Sequence, residues 1–190
     1  MIALETNPTC PAGLVAATAL EHLGEPYALK VVSEGHFLER YGTRGPRTIE
    51  GDRVRMNREA VWELVGRCVQ GASIAAKDVA DHVRERLAPT FVSGDLVHLS
   101  GELHALDALL AVVPRADVEA LVPVLVPLGR VLERVEKAQF SALAACAIAI
   151  EASPPLRRAR ERIASAWVAA PDQVSALGFG APIASEGARR

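Results

Sequence analysis

One cysteine stands where a thiol can do chemistry. Asn7-Pro8-Thr9-Cys10-Pro11 follows a short apolar run, Ile2 to Leu4, and precedes an Ala- and Leu-rich pattern that reaches Leu23. Gly24 stops that pattern, and Tyr27-Ala28-Leu29-Lys30-Val31-Val32 follows. The order is strand, Cys-Pro turn, helix, strand. A cysteine just before the proline that opens a helix meets unpaired N–H groups and the positive end of the dipole. This predicts a lowered thiol pKa, and the thiolate is the reactive species. A small buried residue at a turn is the competing reading of Cys10. His104, in Leu103-His104-Ala105-Leu106-Asp107, is a candidate acid–base partner across a cleft, because imidazole titrates near neutrality. Its competing reading is a surface or satisfied histidine.

The elements around Cys10 follow from local pattern. Residues 2–5 and 28–32 read as short buried strands, and Leu14, Val15, Thr18, Ala19 and Leu23 recur at helical spacing between them. Pro11 suits a first helical turn, Gly24 a C-terminal cap, and Pro26 bars continuation. Two strands bracketing a helix predict a right-handed parallel crossover. One helical turn is expected at His36 to Tyr41. Pro46-Arg47-Thr48-Ile49 and Asp52-Arg53-Val54-Arg55 flank Glu50-Gly51 and read as a hairpin. Asn57 is placed to cap a helix running through Val61, Leu64, Val65 and Cys68.

Beyond residue 72 the pattern holds only helices, expected near 74–88, 95–112, 116–137, 141–151 and 155–169. Pro123 and Pro127 fall inside the third and predict a kink or a break. The tail from Pro171 reads as a wrap-around segment or a frayed end.

Composition narrows the function classes. Among 190 residues half are hydrophobic, aromatics are 4%, and the net charge is −2. That balance makes no electrostatic case for nucleic acid or an anionic membrane surface. The longest apolar run, Ala142 to Ile150, is too short to span a bilayer. Three cysteines, Cys10, Cys68 and Cys146, form no disulfide framework and predict a reducing, cytoplasmic setting. Cys68 and Cys146 lie on apolar helix faces and read as core. No ligand spacing for a metal appears, and no signal peptide is expected. Arg157-Arg158-Ala159-Arg160-Glu161-Arg162 reads as a solvated helix face. Arg40, Arg44, Arg47, Arg53, Arg55 and Arg58 either recognise an acidic substrate or are ordinary surface charge.

Three segments together resemble the cytosolic glutathione transferases. They are Asn7-Pro8-Thr9-Cys10-Pro11, then Ala19-Leu20-Glu21-His22-Leu23-Gly24-Glu25-Pro26-Tyr27, then Gly45-Pro46-Arg47-Thr48-Ile49-Glu50-Gly51-Asp52. The Cys-Pro turn is similar to that of the cysteine-bearing, beta-like and omega-like classes. The resemblance implies an α+β chain in two parts: a thioredoxin-like half (βαβ-ββα) over residues 1–70, and an all-helical half over 74–190. It implies catalysis at Cys10 on a small electrophilic substrate. Glutathione or another small thiol would be held by Thr9, Pro11, Gly45, Pro46, Asn57 and Arg58, with Pro46 in cis, and the chain would form a homodimer. At the positions where the family carries Glu-Ser to grip the γ-glutamyl end of glutathione, this chain has Asn57-Arg58. Loss of that grip implies the alternatives: a fold of this family that serves as a binding or assembly module, or an isomerase or lyase acting on an acidic metabolite. The family's helix-capping Ser/Thr-x-x-Asp element aligns either with Ser141-Ala142-Leu143-Ala144 or near Phe91-Val92-Ser93-Gly94-Asp95.

Overall fold

Ile2, Leu4 and Thr6 turn inward from the first strand while Ala3 and Glu5 are half-buried, the period-2 pattern of a strand packed on one face. The structure is a computed structural model that describes residues 1–89, 96–128 and 139–168. Strand β1 (Ile2–Thr6) leads into helix α1 (Pro11–Leu23) and returns as β2 (Tyr27–Val31), parallel to β1. Helix α2 (Glu34–Tyr41) follows, then β3 (Arg47–Glu50), β4 (Arg53–Met56) and α3 (Asn57–Val69). The sheet order is β2-β1-β3-β4, with β3 antiparallel to both β1 and β4. This is the βαβ-ββα arrangement of a thioredoxin-like half. The expected single turn at 36–41 is a full helix, because Ser33 caps it by accepting from the His36 N–H at 3.1 Å.

Helices follow: α4 (Ile74–His82), extended by a π-type turn over Val83–Leu87, then α5 (Leu96–Ala111). The expected helix over 116–137 is broken. Short 3₁₀ turns at Arg115–Asp117, Glu119–Leu121 and Val126–Leu128 flank one turn of helix, α6 (Val122–Leu125). Pro123 and Pro127 lack the N–H that an unbroken ladder needs. Helices α7 (Ser141–Glu151) and α8 (Pro154–Val168) complete the described chain. Residues 129–137 of the expected third helix, the Phe91–Asp95 motif and the tail from Pro171 lie outside the described residues. The N-cap residue Phe140 gives α7 no side-chain cap. Instead Asp107 of α5 accepts from the Leu143 N–H at 2.8 Å, so this helix start is satisfied from across the bundle.

Helix α1 organises the molecule. It packs on α3, on α8 and on α6, and its buried residues, Gly13, Val15, Ala16, Ala17, Thr18, Ala19 and Leu20, cover most of its circumference. One apolar core runs from Leu4 and Leu20 through Leu64 and Leu103 to Leu143 and Leu156. Cys68 and Cys146 are buried in it, and all three cysteines are free. Cys68 donates to the Ala19 carbonyl at 3.7 Å, and burial pushes its thiol up to about 12, which leaves it unreactive. Among the described residues no helix is long and apolar enough to cross a membrane.

Glu21 ties the helical half to α1. Its carboxylate accepts from Arg158 Nε at 2.8 Å, from Arg162 Nη1 at 3.0 Å and from the Tyr27 hydroxyl at 3.0 Å. The Arg162 guanidinium also lies 3.9 Å from the Tyr27 ring centroid. Burial raises the Glu21 pKa, but the hydrogen bonds from Arg158, Arg162 and Tyr27 outweigh it, and the net shift is downward. A depressed carboxylate pKa stabilises the fold above the unfolded value, and this is lost as pH falls through the folded value. Glu21→Gln is therefore expected to lower Tm at pH 7 by about 5 °C, and the gap to wild type should close in the acid range. Thermal melts between neutral pH and pH ~3 measure this. Equal melting temperatures at pH 7 would show that the pairs contribute nothing.

Candidate active site at the Cys10 turn

Cys10 is the N-cap of α1. Its backbone is extended (φ −76°, ψ 110°), its carbonyl accepts from the Leu14 N–H at 3.1 Å, and its Sγ accepts from the Gly13 N–H at 3.3 Å. Pro11, at the first helical position, loses no bond by lacking an N–H. Gly13 is required by a close approach: a Cβ there would sit 1.8 Å from Thr6 Oγ1 and 2.9 Å from Thr6 Cβ. Thr6 is fully buried. The end of β1 and the first turn of α1 therefore touch, and Cys10 lies between them.

The sulfur's electrostatics differ from the sequence expectation. Burial pushes the Cys10 thiol above its ordinary value. The N–H groups of Gly13 and Ala12 and the Thr6 hydroxyl pull it down, and the Glu34 carboxylate adds to the rise. Desolvation wins because the charged form loses more hydration than the helix start returns. The protonated thiol is favoured over the thiolate. Its Sγ accepts from Gly13, which leaves the S–H free to point elsewhere.

Asn7, to which the sequence pattern assigns no task, holds the site together. Buried, it accepts through Oδ1 from the Thr9 N–H at 3.1 Å and the Thr9 hydroxyl at 3.0 Å. Its Nδ2 donates to the Arg44 carbonyl at 3.0 Å. The Cys10 turn is thus bonded to the loop that carries Gly45 and Pro46. The readable signal was an Asn whose side chain caps its own turn two residues on.

In that loop Pro46 follows a trans peptide; no cis peptide occurs among the described residues. This corrects the expected cis-proline. Trans is the ordinary state of X–Pro, and other contacts shape the loop here. The Thr43 hydroxyl donates to Asn57 Oδ1, the Gly45 N–H to Thr43 Oγ1 at 3.3 Å, and the Asn57 N–H to the Pro46 carbonyl at 2.7 Å. A Cβ on Gly45 would lie 2.2 Å from Asn57 Oδ1. Asn57 does not cap α3 as expected. It adopts φ 53°, a left-handed conformation that asparagine tolerates, and its side chain faces the Thr43–Gly45 loop.

Cys10 opens into a cavity of about 530 Å³. Pro8, Thr9, Cys10, Pro11 and Leu14 form one wall; Val126 and Pro127 form another; Glu151, Arg160, Ile163, Ala164 and Trp167 close it from α7 and α8. Across Pro11 lies a more apolar cavity of about 510 Å³, lined among others by Ala12, Arg58, Val61, Trp62, Pro89 and Pro127. Thr9, Pro11 and Cys10 are thus brought together, and Gly45, Pro46 and Asn57 form the adjoining loop. Arg58 lines the second cavity and donates to the Arg84 carbonyl. His104 is not brought to Cys10. It is exposed on α5 with its ring 4.7 Å from that of Phe140.

None of the six arginines lines the Cys10 cavity, and two of them, Arg40 and Arg47, lie over the same Tyr41 ring. Arg47 pairs with Glu5 at 3.0 Å, Arg55 with Glu63, and Arg44 with Glu34 at 3.1 Å, while Arg40 lies over Tyr41. Among the described residues the cation that reaches the Cys10 cavity is Arg160, from the run read as a solvated face. It forks onto Glu151 with contacts of 2.6 and 2.9 Å, and that bond is the main reason the Glu151 carboxyl is held below its usual range. No local signal links position 160 to position 10. Among the described residues no group of three His, Cys, Asp or Glu is placed to hold a metal ion.

No protein-family model matches the chain, and no curated protein matches it. Solved structures do. A glutathione transferase from Xylella fastidiosa shares 15% identity at a TM-score of 0.61, covering 86% of this chain and 99% of that one. Glutathione transferase Omega 3C from Trametes versicolor shares 20% at 0.58, covering 83% and 88%. A maleylacetoacetate isomerase from Anaeromyxobacter dehalogenans, with dicarboxyethyl glutathione and citrate bound in its active site, shares 14% at 0.55, covering 84% and 94%. The chain has the glutathione-transferase fold.

Proposed function

We propose that this protein is a thiol-dependent transferase of the glutathione-transferase type, with a thioredoxin-like part (1–70) that carries Cys10 and a helical part (74–190) that closes the substrate cavity. The observation that carries the reading is the Cys10 sulfur at the start of α1, accepting the Gly13 N–H and opening on a cavity of about 530 Å³. The raised thiol pKa favours one of two roles. Cys10 keeps its proton and donates it in a hydrogen bond to the thiolate of a bound small thiol, and the Gly13 bond polarises that S–H. The bound thiolate attacks an electrophilic carbon in the cavity, a C–S bond forms, and the leaving group departs with its electron pair. A mixed disulfide on Cys10 needs the thiolate, which this environment disfavours.

The residues present fit a thiol group and do not fit the γ-glutamyl end of glutathione. Asn57 Oδ1 is taken by Thr43, Arg58 donates to Arg84, and neither brings a carboxylate for an ammonium group. A buried ligand group left unpaired costs about 1–3 kcal/mol. That same observation favours the second reading, in which the fold has lost glutathione binding and acts as a binding or assembly module, or as an isomerase or lyase on an acidic metabolite. Calorimetry with reduced glutathione separates the two: millimolar or tighter binding removes the second reading.

The donor role has its own test. Cys10 is expected to be alkylated by iodoacetamide at pH 7 more slowly than free cysteine, with a rate still rising beyond pH 9. Rapid alkylation that has levelled off by neutral pH would replace the donor with a thiolate nucleophile. Three free cysteines suit a reducing, cytoplasmic setting. The reading includes a homodimer, which light scattering of the purified chain decides.

A further inference from the structure

We propose that the Cys10 cavity takes an electrophile with an aromatic or other apolar body and a carboxylate, and that Arg160 is the residue that selects it; the inference rests on the transferase reading of this cavity. Among the described residues that line it, Arg160 is the one cation and Glu151 the one acid. The rest of the lining is mostly apolar, with Leu14, Val126, Ile163 and Trp167 the large side chains. Arg160 points both terminal nitrogens at one carboxylate, Nη1 to Oε2 at 2.6 Å and Nη2 to Oε1 at 2.9 Å. A substrate carboxylate would take the same planar fork.

The present occupant is open to exchange with solvent: the side chains of Arg160 and Glu151 are 49% and 56% exposed, so water screens their pair. Glu151 is also the last residue of α7, where the helix dipole disfavours a negative charge. An incoming carboxylate attached to an aromatic body gains two things Glu151 lacks: contact with the apolar lining around Trp167, and a guanidinium shielded on one side by the ligand itself. Glu151 thus acts as a built-in competitor. It keeps Arg160 paired when no substrate is present and sets the threshold an acidic ligand must exceed. The released Glu151 charge still opposes a second anion nearby, so removing it should tighten binding.

The test uses two probes of the same shape, chloronitrobenzoate and its uncharged amide, titrated into the full chain by calorimetry and by quenching of tryptophan fluorescence. Wild type is expected to bind the acid about tenfold tighter than the amide, the size of one charge-assisted hydrogen bond. Arg160→Gln should erase that preference while leaving amide binding intact, which also shows that the cavity is still folded. Arg160→Lys should restore part of it, and Glu151→Gln should tighten acid binding several-fold. Three results overturn the inference: no acid binding to wild type, equal binding of acid and amide, or a preference that survives Arg160→Gln. None of these depends on turnover. Absence of thiol transfer by the wild-type protein would therefore remove the transferase reading and leave the acid selectivity of Arg160 standing.

Discussion

Gly13→Ala is expected to destabilise the protein by about 3 kcal/mol and to lower Tm by about 10 °C. The added methyl would lie 1.8 Å from Thr6 Oγ1, far inside van der Waals contact, and 2.9 Å from Thr6 Cβ. Rotating the threonine moves Oγ1 but leaves Cβ in place, so α1 must shift away from β1. Thr6 is wholly buried, and the helix has α3, α6 and α8 packed against it, so the shift spreads into both parts of the molecule. The Cys10 sulfur also loses its bond to the Gly13 N–H, and the thiol should become still harder to ionise. Two controls isolate the cause. Gly66, exposed on α3, has nothing within 4 Å of the place an added methyl would take, and Gly66→Ala should stabilise by about 0.5–1 kcal/mol. Thr6→Ala combined with Gly13→Ala should recover part of the loss, a coupling that thermal melts of the four proteins read out. Gly13→Ala melting within 2 °C of wild type, inside the ~1 kcal/mol spread of surface substitutions, would mean that helix and strand do not approach this closely.

Cys10→Ala is expected to lower kcat/KM for thiol transfer by about a hundredfold, the loss that follows removal of one donor from a developing or stored negative charge. Cys10→Ser should retain most of the activity, because its hydroxyl still donates to the bound thiolate. The pair of variants distinguishes three cases. Alanine impaired with serine active identifies a donor. Both impaired identifies a sulfur nucleophile. Both active removes Cys10 from the chemistry and with it the donor role proposed for it. The pH profiles add a sign. With a donor whose own thiol titrates high, the acidic limb of kcat/KM for the electrophile, measured at saturating thiol, belongs to the bound thiol. Cys10→Ala should shift that limb upward, since the thiolate loses its hydrogen bond. An unmoved limb would show that Cys10 does not touch the reacting sulfur.

Two elements show why the first part of the chain was readable. Strand β1 carries its burial pattern in Ile2, Leu4 and Thr6, and α1 carries both its signals, Pro11 at the start and Gly24 in the left-handed cap at φ 66°. Both are local rules, satisfied within a few residues, so a sequence can state them. The broken stretch 115–128 was legible for the same reason, since Pro123 and Pro127 remove their own N–H groups. Asn57 marks the limit. Its residue type predicts a helix cap, but the Thr43–Gly45 loop, 12 to 14 residues upstream, takes its side chain and forces a left-handed backbone.

The sequence alone determined the strand–turn–helix that presents Cys10, the parallel return of β2 and the helical character of the second part, because each depends on propensity, period and punctuation within one segment. Only the tertiary structure decided the thiol's ionisation, the link from Asn7 to the Pro46 loop, the placement of His104 against Phe140 and the arrival of Arg160 at the cavity. Those properties depend on what packs against a residue from far along the chain. Desolvation and charge pairing are set by neighbours in space, and no spacing along the chain encodes them.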